Sequence, residues 1–378
     1  MRKLYSASVV KCHTYNPDEL FLKVKEAIGL IGGIEKFIQP NSKILLKPNL
    51  LMDVDPEKAI TTHPEFVRAV IKILRGVNCK IYLGDSPSVF GGHIEDILKV
   101  YESTGIKAIA REENVELVTF EKRFIQDSLL LAQWIKECDY VVNLPKLKTH
   151  SFMVMTAGVK NLFGLVPGVS KLEAHKNFYQ PEKFAGMLLD IYGIVKPALT
   201  VIDAIQGIEG DGPATSGIKR DFGFVLAASD ALAADTVLAK IMNLKSRAIY
   251  TNQEAMRRKL SAADLNNIDI SGKDAASFGI TDIKLPRASL KQALIYRLPE
   301  PLARLLKRML YFHPRIDSDV CRLCEACIKN CPQKTMSNKN GRIVIDYAQC
   351  ISCFCCQEVC PYAAIGTKKS LLAKIMGM

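Results

Sequence analysis

The sequence predicts an α/β fold, an open, mostly parallel sheet with helices on both faces, followed by a small C-terminal α+β domain. Two observations lead to this prediction. Over residues 1–285, apolar β-branched runs end in short polar loops and alternate with helical patterns, as in parallel sheets covered on both faces. By contrast, 9 of the 12 cysteines fall between Cys321 and Cys360, which marks a separate C-terminal unit.

The strands of the α/β domain, residues 1–285, are predicted from runs that are apolar on both faces. These runs lie at 42–50, 79–87, 138–150, 197–207 and 221–229. Between them, spaced apolar residues predict helices over 18–30 and 63–74, and Thr61 and Thr62 signal the start of the second helix. Asp230 is placed to cap a third helix that begins at Ala231.

Polar residues follow these strands at their carboxyl ends, where open α/β sheets bind their ligands. We therefore expect one ligand crevice lined by Lys47, Asn49, Asp85, Ser86, Lys146, Lys148, His150 and Asp203. The loops contain neither a GxGxxG fingerprint nor a GxxxxGK[ST] loop, so neither NAD nor ATP is predicted. A flavin needs no short fingerprint and stays open as a cofactor.

The segment after Val142 is predicted to be a long basic loop. Between residues 146 and 176 it contains five lysines and two histidines but a single acid, Glu173. Because ammonium groups pair with carboxylates and phosphates, Lys160 and Asn161 join Lys47, Asn49, Lys146 and Lys148 as predicted binding residues for a small anionic substrate. The alternative is a solvated basic loop.

Three residues of the crevice are candidates for catalytic proton transfer. His150 can exchange a proton near neutral pH, Asp85 lies in a GDSP turn, and Asp203 ends a buried strand. Two of them have structural alternatives, since His150 also fits a packing role and Asp85 also fits an Asx-type turn.

Residues 286–314 form a strongly basic linker between the two domains. Between residues 287 and 315, seven basic residues stand against one acid, Glu300, and leucines recur at helical spacing. Such a helix contacts a membrane surface or an acidic protein, or packs its apolar side on the adjoining domain. The C-terminal tail, residues 367–378, is also basic and amphipathic.

The C-terminal unit, residues 315–366, contains two copies of CxxCxxCxxxCP, namely CRLCEACIKNCP and CISCFCCQEVCP. This spacing is typical of iron–sulfur ligation in which the fourth cysteine of each run binds the other cluster. One [4Fe–4S] cluster is therefore assigned to Cys321, Cys324, Cys327 and Cys360, and a second to Cys350, Cys353, Cys356 and Cys331. Cys355 is left over and is interpreted as a small buried apolar residue.

Zinc and disulfides are the alternative explanations for so many cysteines. Zinc sites favour CxxC pairs separated by longer loops, and disulfide frameworks belong to oxidising compartments and short secreted chains. Neither pattern fits this chain of 378 residues.

The composition is that of an ordinary globular protein, with 48% hydrophobic and 24% charged residues and a formal net charge of +12. The N-terminus lacks a secretory signal pattern, and no apolar run approaches the roughly 18 residues of a membrane span. A reducing cytoplasm is the expected location. No nucleic-acid motif accompanies the positive charge, so no nucleic-acid partner is expected.

Several motifs of the α/β domain resemble the uncharacterised DUF362 family over roughly residues 5–280: KPNL, THPEF, GDSP, LPKLKTH, AGVKNLFGLVPG, VIDAIQGIEGDGP and ASDALAAD. The segment 315–365 resembles the bacterial two-[4Fe–4S] ferredoxin module. Together these resemblances imply an iron–sulfur protein of anaerobic redox metabolism and carry over no catalytic residues. AGVKNLFGLVPG followed by His175 is also similar to a short segment of nickel-dependent lactate racemases.

These features favour an enzyme in which two clusters pass low-potential electrons from an external donor to a small anionic substrate at the strand ends. The alternative is a non-catalytic electron carrier that docks an acidic redox protein or a membrane complex. A third hypothesis, a metal-dependent isomerase with structural clusters, requires a divalent metal ion for which the sequence offers no ligand motif.

Overall fold

The computed structural model describes residues 4–87, 94–168, 170–272, 279–287 and 312–370. Most of the predicted linker 286–314 and the tail beyond residue 370 lie outside these ranges. The strands are Tyr5–Lys11 (β1), Lys43–Pro48 (β2), Lys80–Leu83 (β3), Glu116–Leu117 (β4), Arg123–Gln126 (β5), Leu129–Ala132 (β6), Tyr140–Leu144 (β7), Lys146–His150 (β8), Val154–Thr156 (β9), Leu199–Gly210 (β10), Gly217–Ala228 (β11), Ile268–Ser271 (β12), Phe312–Ile316 (β13), Met336–Lys339 (β14), Arg342–Ile345 (β15) and Ile365–Lys369 (β16).

The helices of the same ranges are Pro17–Leu30 (α1), Pro64–Arg75 (α2), Ile94–Ser103 (α3), Ile106–Glu112 (α4), Trp134–Glu137 (α5), Gly158–Asn161 (α6), Ser170–Asn177 (α7), Pro181–Val195 (α8), Ala231–Ile241 (α9), Tyr250–Arg257 (α10), Ala326–Lys329 (α11) and Cys355–Glu358 (α12). Short 3-10 helices lie at Ile34–Lys36, Pro56–Lys58, Leu162–Leu165, Ser246–Ala248, Ser261–Ala263 and Leu265–Asn267.

The main sheet has ten strands in the described part of the chain, in the order β12-β1-β11-β10-β7-β2-β3-β4, with β8 pairing β10 and β9 pairing β8. Strands β10, β7, β2, β3 and β4 are parallel to one another. Strand β11 is antiparallel to both β1 and β10. The predicted α/β class with a mostly parallel sheet is confirmed, with an antiparallel excursion at β11.

Two hydrophobic cores lie on opposite faces of this sheet because successive side chains of a strand point to opposite sides. In β2, Ile44 and Leu46 pack with α1, α2 and α4, whereas Leu45 packs in the core that contains α8 and α9. Each fully buried Leu or Ile of this kind contributes about 1.5–3 kcal/mol. The sheet is therefore covered by helices on both faces, as predicted.

Of the two helix caps predicted from the sequence, the one for α9 is correct and the one for α2 is wrong. Asp230 caps α9, since its Oδ1 accepts from the N–H groups of Leu232 and Ala233 at 2.9 and 2.8 Å. The cap of α2 is His63, whose Nδ1 accepts from Glu65 N, and not the threonines before it. Thr62 instead donates from Oγ1 to the carbonyl oxygen of Leu144 at 2.7 Å, which ties the start of α2 to β7.

The run predicted as one strand at 138–150 is two strands, β7 and β8, and the predicted long basic loop after it is structured. Pro145 separates the two strands, because proline has no N–H to continue a ladder. Strand β8 pairs with both β10 and β9. Its five residues are buried, so its lysines need partners inside the protein.

The C-terminal region consists of two similar halves. A short helix follows the second cysteine of each run, α11 in the first and α12 in the second. Strand β13 pairs with β16, and β14 pairs with β15, all antiparallel. No helix within the described ranges is long and apolar enough to cross a membrane.

Candidate functional site

A pocket lies at the carboxyl ends of β2 and β3, beside β8, as the sheet topology predicts. Its polar lining comprises Lys47, Asn49, Asp85, Ser86, Lys148, Thr156, Lys160, Asn161, Lys171, His175 and Glu358. The volume open to the centre of a water-sized sphere is about 40 Å³, and one water needs roughly 10–15 Å³ of such volume. The pocket therefore accommodates a ligand of a few heavy atoms.

Lys47 and Asp85 form a buried ion pair in the pocket wall. Lys47 Nζ lies 2.8 Å from Asp85 Oδ1, and Asp85 Oδ2 accepts from the N–H of Leu50 at 2.8 Å. Burial lowers the pKa of Lys47, and the Asp85 carboxylate opposes that shift. Gly164 packs so closely that a Cβ there would lie 2.1 Å from Asp85 Oδ1, which explains a glycine at this position.

A chain of amides connects Lys148 with the floor of the pocket. Lys148 Nζ donates to Asn49 Oδ1 at 2.6 Å and to the carbonyl oxygen of Ile60 at 2.7 Å. Asn49 Nδ2 then donates to Asn161 Oδ1 at 2.9 Å, and Asn161 Nδ2 donates to Asn143 Oδ1 at 2.8 Å. The structure thus brings together three predicted binding residues, Asn49, Lys148 and Asn161.

Lys171 holds the loop after β3. Its Nζ donates to the backbone oxygen of Ser86, to Ser86 Oγ at 3.1 Å and to the carbonyl oxygen of Pro87 at 3.1 Å. Burial lowers the pKa of Lys171 to about 7, although nearby Asp85 opposes the shift. Sequence reasoning noted this lysine only as a member of the basic segment, because its loop-holding role depends on tertiary contacts.

Lys160 differs from the other pocket lysines because it has no hydrogen bond or ion pair with any residue in the described ranges. It belongs to α6, a single turn whose first N–H groups, of Gly158 and Val159, donate to the buried carboxylate of Asp235 at 2.6 and 3.0 Å. A Cβ at Gly158 would lie 2.4 Å from the carbonyl oxygen of Ala231, so glycine permits this close contact. Burial lowers the pKa of Lys160.

Glu358, on α12 of the C-terminal region, forms part of the pocket wall and was missed by the sequence analysis. It lies between Cys356 and Cys360 in the chain and is only 4% exposed. Its Oε1 is 3.1 Å from His150 Nε2. Nothing in the sequence signals this contact, because it depends on how the C-terminal region packs on the α/β domain.

His150 is held in one tautomer by the backbone. Its Nδ1 accepts from the N–H groups of Phe152 and Met153 at 3.1 and 3.2 Å, so the neutral ring carries its proton on Nε2, facing Glu358. Burial and Lys160 lower the pKa of His150 to about 4, against the opposing effect of Glu358. Burial alone would raise the pKa of Glu358, but His150 and Lys160 outweigh it and hold that pKa at about 2.

Three predicted site residues, His150, Lys146 and Asp203, do not line the pocket. His150 contacts Glu358 of the pocket wall, whereas Lys146 and Asp203 contact each other. Lys146 Nζ lies 2.8 Å from Asp203 Oδ2 and donates to Tyr15 OH at 2.7 Å. Tyr15 OH donates to Asp203 Oδ1 at 2.9 Å, and His63 N donates to Asp203 Oδ2 at 3.0 Å. The two charges satisfy each other in a closed network, which we call the Lys146–Asp203 network. Their assigned roles in binding and catalysis stay predictions.

The eight cysteines assigned to clusters surround two separate cavities. One cavity is lined by Cys321, Cys324, Cys327 and Cys360, and the other by Cys331, Cys350, Cys353 and Cys356. Each cavity therefore receives three thiols from one run and one from the other. Cys355 is buried and lines neither.

The two cavities fit [4Fe–4S] clusters in donor set and in backbone geometry. Four thiols and otherwise largely apolar side chains line each one, which is the ligand set of such a cluster. The N–H groups of Thr335 and Ala364 donate to the sulfurs of Cys331 and Cys360 at 3.3 and 3.4 Å. Such hydrogen bonds to ligand sulfurs tune the reduction potential.

Comparison with known proteins follows the same division of the chain. A family model described as a domain of unknown function (DUF362) matches residues 44–240, and one described as a 4Fe-4S dicluster domain matches residues 313–361. This chain belongs to the DUF362 family. Its C-terminal region is a ferredoxin-type iron–sulfur domain, and the function of such domains is electron transfer.

Relatives of this DUF362 protein cover different shares of the chain. A thylakoid-associated protein of Synechocystis is 34% identical over 272 residues, 69% of this chain and 82% of that protein. Pyruvate synthase subunit PorD of Methanocaldococcus jannaschii is 32% identical over 74 residues, 19% of this chain and 86% of that protein. Among solved structures, lactate racemase apoprotein from Thermoanaerobacterium thermosaccharolyticum aligns with a TM-score of 0.38 and 15% identity over 61% of this chain and 55% of that one.

Proposed function

We propose that this protein is an iron–sulfur reductase that passes low-potential electrons to a small anionic substrate in the pocket at the strand ends. The observation that carries the proposal is the position of Glu358. This residue is part of the pocket wall, and it lies two residues from Cys356 and two from Cys360. A substrate in the pocket is therefore next to the segment that carries the thiols.

The eight cysteines would hold two [4Fe–4S] clusters, each with three thiolates from one run and one from the other. When bound, such clusters accept and release single electrons at low potential. Cys356 lies on α12 together with Glu358, so the set of Cys331, Cys350, Cys353 and Cys356 would be the one nearer the pocket. Cys324 of the other set is exposed and suits contact with an external donor.

The pocket residues would bind and orient the substrate. Lys148 and Lys160 supply positive charge, Asn49 and Asn161 supply oriented amides, and the Lys47–Asp85 pair holds the strand ends in place. His150 does not line the pocket itself but presents its Nε2 proton toward Glu358, which does, so the two residues together would pass a proton. A reducing cytoplasm, where thiols stay available for cluster assembly, is the compartment we propose.

The direct test uses anaerobically purified protein reduced with dithionite and then freed of excess reductant. The reduced protein is mixed with a panel of small carboxylates and phosphates while cluster absorbance is followed. We expect at least one anion to reoxidise the clusters and Lys160→Met to slow that reaction at least tenfold. The exposed control Lys219→Met should react at the wild-type rate. Failure of the whole panel, while an artificial acceptor reoxidises the same sample, would contradict the proposal.

A second candidate function is that of an electron-transfer subunit that docks on a larger complex. The similarity of the C-terminal region to PorD, a subunit of pyruvate synthase, favours this candidate. It predicts a salt-sensitive complex with another redox protein, together with the absence of reoxidation by small anions in the preceding test.

A further inference from the structure

Two opposite charges in the pocket are left incompletely satisfied by the described residues. One is the ammonium group of Lys160. The other is Glu358, whose Oε1 is buried, faces His150 at 3.1 Å and is not aligned with it as in a regular hydrogen bond. Lys160 Nζ and the carboxylate oxygens of Glu358 are more than 4.0 Å apart, which is too far for an ion pair. Lys160 is half-buried and Glu358 is buried. Because a charge removed from water needs compensating contacts, a ligand that contacts both would be favoured.

The neighbouring polar atoms extend this pattern. Thr156 Oγ1 and His175 Nδ1 line the same pocket, are buried and have no hydrogen-bond partner in the described ranges. The other cations of the pocket are already engaged. Lys47 pairs with Asp85, Lys148 donates to Asn49 and to the carbonyl oxygen of Ile60, and Lys171 donates to three oxygens of the loop after β3. The groups left over are therefore one full cation, one full anion and two neutral polar atoms.

This charge pattern disfavours a ligand that is anionic over its whole surface. The end near Lys160 suits a carboxylate, but a second anionic group would be repelled by Glu358. The part of the ligand near Glu358 must instead present a hydrogen-bond donor. The small volume, about 40 Å³ for the centre of a water-sized sphere, limits the ligand to a few heavy atoms.

We propose that the pocket binds a small monocarboxylate with a hydroxyl or amino group on the adjacent carbon, its carboxylate at Lys160 and its donor at Glu358. The inference rests on the proposed function and names the substrate class for the same pocket. It also gives the ferredoxin-type domain a part in choosing the substrate, because Glu358 belongs to that domain.

The test measures binding to the oxidised holoprotein by calorimetry, with glycolate, glycine, methoxyacetate and acetate as probes. A hydrogen bond to a charged group is worth about 1.5–3 kcal/mol, and about 1.4 kcal/mol is a tenfold change in affinity. We therefore expect glycolate or glycine to bind at least tenfold more tightly than acetate and methoxyacetate, which cannot donate to Glu358 from this position. Comparing glycolate with glycine identifies the donor as hydroxyl or ammonium.

Two variants extend the test. Glu358→Gln should reduce the preference for the donor-bearing ligand to below threefold, and Lys160→Met should weaken binding of all four probes. Glu57→Gln, an exposed control of the same charge change, should bind like wild type. Iron content and the reduced-cluster spectrum show whether Glu358→Gln assembles its clusters, and the comparison of glycolate with methoxyacetate on wild type needs no variant.

The outcomes separate this inference from the proposed function. Equal affinity for glycolate and acetate, or no binding of any probe, overturns the inference, while the reductase proposal is judged by reoxidation with the wider panel. The expected preference without any reoxidation by the preferred probe supports the binding site and counts against the reductase.

Discussion

The Lys146–Asp203 network and the pocket around Lys160 and Glu358 lie near the same edge of the sheet. They differ in how fully their charged groups are paired. In the network, both charges and Tyr15 are joined by contacts of 2.7–2.9 Å. In the pocket, Lys160 has no partner among the described residues, and Glu358 Oε1 has no aligned hydrogen bond. Both regions contain buried lysine and carboxylate groups, so residue type alone does not distinguish them.

The difference distinguishes charges that satisfy each other within the fold from charges that, under the proposed function, contact a ligand. A buried pair whose members satisfy each other contributes to a unique structure, and removing one member leaves a costly unpaired charge. Lys160 is only half-buried and has no partner among the described residues, so its removal leaves no counter-charge unpaired. Substitutions in the two regions should therefore affect different measurements.

The largest effect is expected for Asp203→Ala in the closed network. This change leaves Lys146 buried without its counter-charge and should lower the free energy of unfolding of the α/β domain by about 3–5 kcal/mol. Urea unfolding followed by circular dichroism measures it. The double variant Lys146→Met/Asp203→Leu should recover most of the loss, and a loss below about 1 kcal/mol in the single variant would contradict the comparison.

The opposite outcome is expected for Lys160→Met in the pocket. Because Lys160 has no partner, its replacement should leave the free energy of unfolding unchanged or raise it by up to about 1 kcal/mol. Binding of a small anion should weaken about 10–100-fold, since a charged hydrogen bond is lost. Calorimetric titration tests the loss of anion binding, and urea unfolding of the same sample tests the unchanged stability. A marked loss of stability would mean that Lys160 is a structural residue.

An intermediate effect is expected at Asp235, which supports α6 from outside the pocket. Burial raises the pKa of Asp235 to about 7, against the opposing N–H groups of Val159 and Gly158. The folded state therefore binds this proton more tightly than the unfolded state, where the pKa is about 3.9. Its contribution to stability is complete below about pH 4 and is lost as the pH rises through about 7.

Asp235→Asn isolates this contribution because asparagine does not titrate and keeps one acceptor for the N–H groups of α6. The free energy of unfolding of wild type relative to Asp235→Asn should fall between pH 4 and pH 7, as measured by urea unfolding at several pH values. A constant difference over this range would mean that Asp235 stays ionised in the folded protein.

The smallest effect is expected for the exposed ion pair between Lys219 and Glu57. Its atoms are 3.7 Å apart, and the side chains are 39% and 75% exposed. Lys219→Met should change the free energy of unfolding by less than about 0.5 kcal/mol, because solvent and salt screen such pairs. Thermal unfolding checks this, and a change above about 1 kcal/mol would show that exposure is a poor guide to the role of charges in this protein.

Much of the fold and part of the site could be predicted from local sequence patterns. The parallel strands appear as apolar runs, and the topology of such sheets brings Lys47, Asn49 and Asp85 to one edge. The grouping of the cysteines around two cavities follows their spacing within each run. In these cases, the information lies within a few residues or within one well-known architecture.

The remaining part of the site depends on long-range contacts that no local pattern reveals. Lys146 and Lys148 are two residues apart on one strand and are equally buried, yet Lys146 pairs with Asp203 and Lys148 binds an asparagine and a carbonyl. Glu358 is hidden among cysteines whose spacing dominates the sequence. Its place in the pocket wall depends on the contact between α12 and His150 of β8, in the other domain.

The position of Glu358 makes the two domains poor candidates for exchange by grafting. A chimera that joins this α/β domain to an unrelated ferredoxin would regain a pair of cysteine-lined cavities but would bring a different side chain to the place that Glu358 occupies beside His150. If the proposed ligand site is correct, such a hybrid would still transfer electrons but would bind a different small molecule. Two ferredoxin-type domains that transfer electrons equally well would therefore not be equivalent in ligand recognition.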